Sequence, residues 1–147
     1  MESLSLVALI AGLVGTTAML ILLHLLAYGR AIESRLPLAL GAVMLKKMEG
    51  ALGTGLALHY AFGIAFGFLY TNLIVMTDPE SKAAIIGMGL AFGLVHGIFA
   101  TMFMIGMAER HPLKQFRESP VISSLAHGIA HLVYGLFVGI TIAALAR

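Results

Sequence analysis

Two histidines in this chain begin the same pattern, and both lie inside apolar stretches where an imidazole is costly. His59 starts His-x-x-Phe-Gly-x-x-x-Gly, and His131 starts His-x-x-Tyr-Gly-x-x-x-Gly seventy-two residues later. An ionisable side chain inside a membrane span usually marks a functional site, because hydrocarbon offers it no partner. The repetition predicts an internally duplicated membrane protein with a polar site at a matching position in each half.

Four histidines fall at similar depths in the apolar stretches. At about 1.5 Å per residue from the predicted cytoplasmic ends, His59, His96 and His131 lie at about 12, 16 and 15 Å, and His127 at about 9 Å. Imidazoles at one level can ligate a transition metal, hold haem b from two sides, or pass protons. His127 and His131 have the i, i+4 spacing that can supply two ligands to one ion. These four are the candidate cofactor-binding and metal-ligating residues.

Glycines at helical spacing offer a structural interpretation of the same pattern. The predicted packing positions are Gly63, Gly67, Gly135, Gly139, Gly89, Gly93 and Gly97. Small residues four apart let membrane helices approach closely. On this interpretation, the second and fourth apolar stretches pack through their glycines, and their histidines hydrogen-bond across the contact. A haem cannot occupy the same gap, so the distance between these two helices decides between the interpretations.

Composition identifies the class of protein. The chain has 147 residues, of which 60% are hydrophobic and 11% charged, and its mean hydropathy is +1.00. Four apolar stretches exceed the ~20 residues that cross a bilayer. They comprise residues 4–28, 51–76, 83–107 and 121–146. We expect an all-α polytopic protein with one membrane domain over residues 1–147, and connectors too short for a soluble catalytic domain. The repeat predicts two parallel helical hairpins, residues 1–76 and 83–147.

Charge predicts the orientation. Connectors 29–50 and 108–120 hold seven of the nine Lys and Arg residues, against Lys82 and Arg147 elsewhere. By the positive-inside rule, these connectors face the cytoplasm and both termini lie outside the cell membrane. Basic residues beside apolar stretches indicate topology rather than nucleic-acid binding. The expected partners are the lipid bilayer and other membrane subunits or a second copy of the chain.

The connectors also carry helix signals. Leu36 to Leu45 is an apolar run too short to span, which predicts an interfacial helix whose following Lys46 and Lys47 reach lipid phosphates. Asp78, followed by Pro79 and Glu80, is predicted to cap the third span. Ser119 and Pro120 are predicted to do the same for the fourth.

Several kinds of chemistry are absent from the sequence. There is no cysteine, which excludes disulfides and thiolate-ligated zinc or iron–sulfur sites. No Asp, Glu, Lys or Arg lies inside a span, which disfavours proton-coupled carriers and di-iron carboxylate sites. Since no Ser/His/Asp set or phosphate-binding loop is present either, the sequence disfavours an enzyme.

The remaining metal-ligating side chains are expected to be structural. Met102, Met104 and Met107 cluster in the third span, but residues two apart face different ways and methionine packs well in membrane cores. This favours core packing over a copper site. His24 and His111 are predicted to be hydrogen-bonded core residues.

Three segments resemble a known group of proteins. These are Ala11-Gly12-Leu13-Val14-Gly15-Thr16-Thr17-Ala18-Met19, His59-x-x-Phe-Gly, and His131-Leu-Val-Tyr-Gly-x-x-x-Gly. They resemble small four-span prokaryotic membrane proteins of the YagU-like group of unknown function. The resemblance implies a four-helix inner-membrane architecture and assigns no catalytic residue.

Three functional hypotheses follow. The first is a structural or accessory subunit of a membrane complex or homo-oligomer, assembled through the glycine-rich faces around a buried histidine layer. The alternative is an electron-transfer module in which His59 and His131, with His96 or His127 as alternates, hold haem b or a metal. The third is a small channel or carrier with these histidines along its path.

Overall fold

All regular secondary structure in the described part of the chain is helical. The computed structural model describes residues 2–29, 36–117 and 121–145. Its five α-helices are α1 (Glu2–Tyr28), α2 (Leu36–Leu45), α3 (Ala51–Met76), α4 (Lys82–Glu109) and α5 (Val121–Leu145), with a 3-10 turn at Lys114–Phe116. No strand occurs in these ranges. Helices α1, α3, α4 and α5 are long and apolar enough to cross a membrane, which agrees with the four predicted spans.

The start of α4 differs from the prediction. Ser81, not Asp78, is the N-cap, because its extended backbone lets its hydroxyl accept the Ala84 N–H at 3.1 Å. Asp78 instead has a left-handed φ of 48°, and its N–H donates to the Val75 carbonyl in the turn after α3. The chain needs the intervening residues to reverse direction before α4 begins. The predicted cap at Ser119 and Pro120 lies outside the described residues.

The helices pair unequally around the core. Helix α5 packs along both α4 and α1, and α1 also packs along α3, whereas α3 touches α4 and α5 at few points. Buried apolar side chains, such as Leu23, Ile74, Val138 and Ile142, fill the space between α1, α3 and α5. A gap therefore remains on the side where α3 faces α4.

The predicted glycine contact between the second and fourth spans is wrong. A Cβ at Gly67 of α3 would lie 2.6 Å from Gly12 Cα on α1, and one at Gly93 of α4 would lie 3.2 Å from Gly135 Cα on α5. The other predicted positions make equally close contacts: Gly63 with α1, Gly89 and Gly97 with α5, and Gly139 with α4. The glycines do let helices approach closely, but α3 uses its glycine face to pack against α1, and α4 and α5 use theirs to pack against each other.

His111 anchors helix α2 to the connector between α4 and α5, which we call the second connector. Its side chain is 1% exposed. The Leu113 N–H donates to His111 Nδ1 at 3.0 Å, so Nε2 carries the proton and donates to the Ala39 carbonyl of α2 at 3.0 Å. The prediction of a hydrogen-bonded core residue is confirmed for His111. It is wrong for His24, which is exposed on α1.

Candidate functional site

A cavity of about 340 Å³ occupies the gap between α3, α4 and α5. All four histidines that the sequence singled out line it. The rest of its wall is mainly aromatic or aliphatic, comprising Phe62, Phe66, Phe99, Phe103, Tyr134, Leu36, Leu40, Met19, Met104, Met107, Thr16, Gly63 and Ala100. Among the described residues, this wall contains no Lys, Arg, Asp or Glu. The histidines are thus the main polar side chains of an apolar chamber.

The four imidazoles form a continuous row across three helices. The ring centroids of His59 and His127 are 5.8 Å apart, those of His127 and His131 are 4.9 Å apart, and those of His131 and His96 are 4.3 Å apart. The outer rings come from α3 and α4, and the two inner rings come from successive turns of α5. Residues distant in the chain are brought together as the depth argument suggested.

Hydrogen bonding divides the row into satisfied and unsatisfied rings. His131 Nδ1 lies 3.0 Å from the His127 carbonyl, so it donates there and its Nε2 keeps a free lone pair. His96 Nδ1 is 3.2 Å from the Tyr70 hydroxyl. In contrast, His59 Nε2 and His127 Nδ1 are buried and have no hydrogen-bond partner. The Ser123 hydroxyl, one helical turn before His127, is also unpartnered.

These unsatisfied nitrogens are energetically significant. A buried polar group without a partner costs ~1–3 kcal/mol, and native structures contain few of them. Here two occur on neighbouring rings of one row. Such a pair is explained if a small polar occupant bonds to both nitrogens.

Two tyrosines contact the histidine row, and neither was predicted as a site residue, although Tyr134 belongs to the repeated motif. Tyr134 donates its hydroxyl proton to the Gly63 carbonyl at 2.7 Å, which ties α5 to α3. Tyr70 contacts His96 and lies with its ring centroid 5.6 Å from that of Tyr134. The signal was available for Tyr70, because it follows His59 by eleven residues, or about three helical turns, and so shares its face.

The methionines of α4 separate into two orientations. Met104 and Met107 line the cavity, whereas Met102 is 65% exposed. The prediction that neighbouring methionines face different ways is therefore confirmed. In the described ranges, no three His, Cys, Asp or Glu side chains converge as a ready metal site. The candidate metal ligands are therefore two imidazoles, together with the thioethers of Met104 and Met107 further along the cavity wall.

Comparison with known proteins gives a family and no activity. A model for a family of unknown function (DUF6789) matches residues 3–147. No curated protein and no solved structure matches the chain. The match agrees with the expected membership of a family of unknown function, but it does not support the YagU-like name that the motifs suggested. The chain belongs to the family of unknown function DUF6789.

Proposed function

We propose that this is a multi-pass membrane protein that binds a transition-metal ion in its histidine cavity. The observation that carries the proposal is the pair of buried, unpartnered nitrogens, His59 Nε2 and His127 Nδ1. Imidazole suits zinc, copper, iron and nickel. An ion held by both nitrogens satisfies two atoms whose burial is otherwise uncompensated.

A single ion suits the site better than haem b. A porphyrin held between His59 and His131 needs a broad flat slot between the two rings, but the His127 ring lies between them in the row, 5.8 Å from the His59 ring and 4.9 Å from the His131 ring. The cavity wall also offers no Lys or Arg, within the described chain, for haem propionates. Both features favour a compact occupant.

The accessory-subunit and channel hypotheses have less support. The glycine faces that suggested assembly with partners are used inside the chain, since Gly67 meets Gly12 and Gly93 meets Gly135. A channel or carrier could also use the cavity wall that the histidines line. The charged side chains that usually mark an ion path are, however, missing from that wall in the described ranges.

We also propose the predicted parallel repeat, which explains why the cavity lies on one side. In this repeat, Gly12 of α1 corresponds to Gly93 of α4. At the same separation along the chain, Gly15 of α1 corresponds to His96 of α4. Gly15 lets α1 come close to α5, since a Cβ there would be 2.9 Å from Tyr134 Cδ2. At the equivalent place His96 holds α4 away from α3, with its ring 3.8 Å from that of Phe66. One glycine-to-histidine difference between the halves thus accounts for the gap.

The predicted orientation completes this proposal. Connectors 29–50 and 108–120 face the cytoplasm, both termini lie outside, and α2 lies at the inner surface of the membrane. Support comes from the distribution of Lys and Arg and from the anchoring of α2 to the second connector by His111. With this orientation, the wall residues Leu36, Leu40 and Met107 support a cavity that has one end near that surface.

Metal content tests the proposed function. Purified protein in detergent is dialysed against Zn²⁺, Ni²⁺, Co²⁺ or reduced copper and analysed by elemental mass spectrometry. We expect about one bound ion per chain for at least one metal, and loss of that ion in His59→Leu and His127→Leu. His24→Leu is the control, because His24 is exposed on another helix. No bound metal, or equal loss in all three variants, contradicts the proposal.

A further inference from the structure

The His59 and His127 rings have the spacing of two ligands on one small ion. Their centroids are 5.8 Å apart and their planes are inclined by 59°. With metal–nitrogen bonds of ~2.0 Å, two imidazoles on opposite sides of an ion place their centroids about 6 Å apart. The observed centroid separation is close to this value.

The surroundings favour a singly charged ion. The free-energy cost of moving an ion from water into an apolar medium is large and grows with the square of its charge. No carboxylate lies in the described cavity wall to offset that charge. A monovalent ion consequently loses much less hydration free energy here than a divalent one.

The other donors in the cavity are soft. Met104 and Met107 lie three residues apart on α4, so they share a helix face, and both line the cavity together with Met19 of α1. Thioether sulfur selects Cu(I) over the harder divalent ions, and imidazole also binds copper. Monovalent charge, two nitrogen ligands and neighbouring thioethers all match the same ion.

We propose that the ion is Cu(I), bound between His59 Nε2 and His127 Nδ1, and that Met104 and Met107 pass it to this pair from the predicted cytoplasmic end of α4. This rests on the proposed metal-binding function and names its ion. The stretch of α4 from His96 to Met107 is about 16 Å long, so the thioethers lie between the histidine row and the end of the helix.

Chelator competition tests the identity of the ion. Full-length protein in detergent is titrated with Cu(I) under a reductant against a Cu(I)-specific chelator, and separately with Zn²⁺ against a zinc chelator. We expect Cu(I) to bind at least about 100-fold more tightly than Zn²⁺. We expect His59→Leu and His127→Leu each to weaken Cu(I) binding by about 100-fold or more, on the scale of lost metal-site contacts.

The outcomes separate this inference from the proposed function. If Zn²⁺ binds as tightly as Cu(I) and both need His59 and His127, the assignment to Cu(I) is overturned while metal binding stands. If neither ion binds, the assignment to Cu(I) fails, and the proposed function fails with it when Ni²⁺ and Co²⁺ are also absent from the dialysed protein. Every variant is first compared with the unaltered protein for helical content and elution volume. X-ray absorption of the copper-loaded, unaltered protein identifies the copper ligands without any mutation. A copper ion that is not bound by two imidazole nitrogens overturns the inference.

The thioether route has its own matched control. Met107→Leu is expected to slow transfer of Cu(I) from a weak donor several-fold, because a soft ligand near the cavity end is lost. Met102→Leu, five residues earlier and 65% exposed, should leave the transfer rate unchanged. Equal rates in the two variants and the unaltered protein overturn the route.

Discussion

Replacing Gly89 with alanine should weaken the contact between α4 and α5. The added Cβ would lie 3.0 Å from Gly139 Cα, and it would press still harder on the Gly135 carbonyl oxygen. Both are backbone atoms, which cannot rotate away as a side chain can. The two helices must therefore separate along a glycine contact. Overpacking of this kind costs about 1–3 kcal/mol, which is a large part of the ~5–15 kcal/mol stability of a typical protein.

A control lies two residues earlier on the same helix. A Cβ at Gly87 would have no atom within 4 Å, so Gly87→Ala adds a methyl group without a clash. Its expected effect is a small stabilisation of up to ~1 kcal/mol from helix propensity. Unfolding both variants with a denaturing detergent in mixed micelles, followed by circular dichroism, gives their free energies of unfolding. If Gly89→Ala is as stable as Gly87→Ala, the described contact between α4 and α5 is incorrect.

Three further substitutions test other parts of the structure. Tyr134→Phe removes the 2.7 Å hydrogen bond to the Gly63 carbonyl and should lower the free energy of unfolding by ~1 kcal/mol in the same assay. His111→Ala removes two hydrogen bonds from a buried side chain; limited proteolysis should cut the second connector sooner in this variant, whereas His24→Ala should match the unaltered protein. Ser81→Ala removes the cap of α4 and should cost ~1 kcal/mol, and an unchanged unfolding curve would show that the cap contributes nothing.

The helices themselves were predictable because their signal is local. An apolar run of a given length has to form a helix of that length in a membrane, since every backbone polar group needs an internal partner. The second span, predicted at residues 51–76, coincides with α3, and the third is longer than predicted, extending to Glu109. Counting residues along each helix also placed His59, His96 and His131 near one level.

Which helices pack against each other could not be predicted from the glycine face of a single helix. A glycine face shows that a helix can be approached closely, but the partner depends on which other surface fits it. Gly63 and Gly67 of α3 fit the surface of α1 around Gly12 and Thr16, rather than α5. The cavity depends on that choice, because α3 stays apart from α4 where His96 intervenes.

The hydrogen-bond partners of the histidines could not be predicted from the sequence either. That His131 Nδ1 donates to the His127 carbonyl while His127 Nδ1 has no partner depends on side-chain rotation, which residue spacing does not specify. The burial of the unpartnered His59 Nε2 and His127 Nδ1 is what directs the metal proposal to these two residues. The sequence had paired His59 with His131 instead.

Imidazole nitrogen NMR of histidine-labelled protein tests the central claim most directly, since Cu(I) is diamagnetic and the claim concerns two particular atoms. On addition of one equivalent of Cu(I), the resonances of His59 Nε2 and His127 Nδ1 should shift together, while those of the exposed His24 should stay in place. Copper bound with both nitrogens unshifted, or an equal shift at His24, would contradict the account.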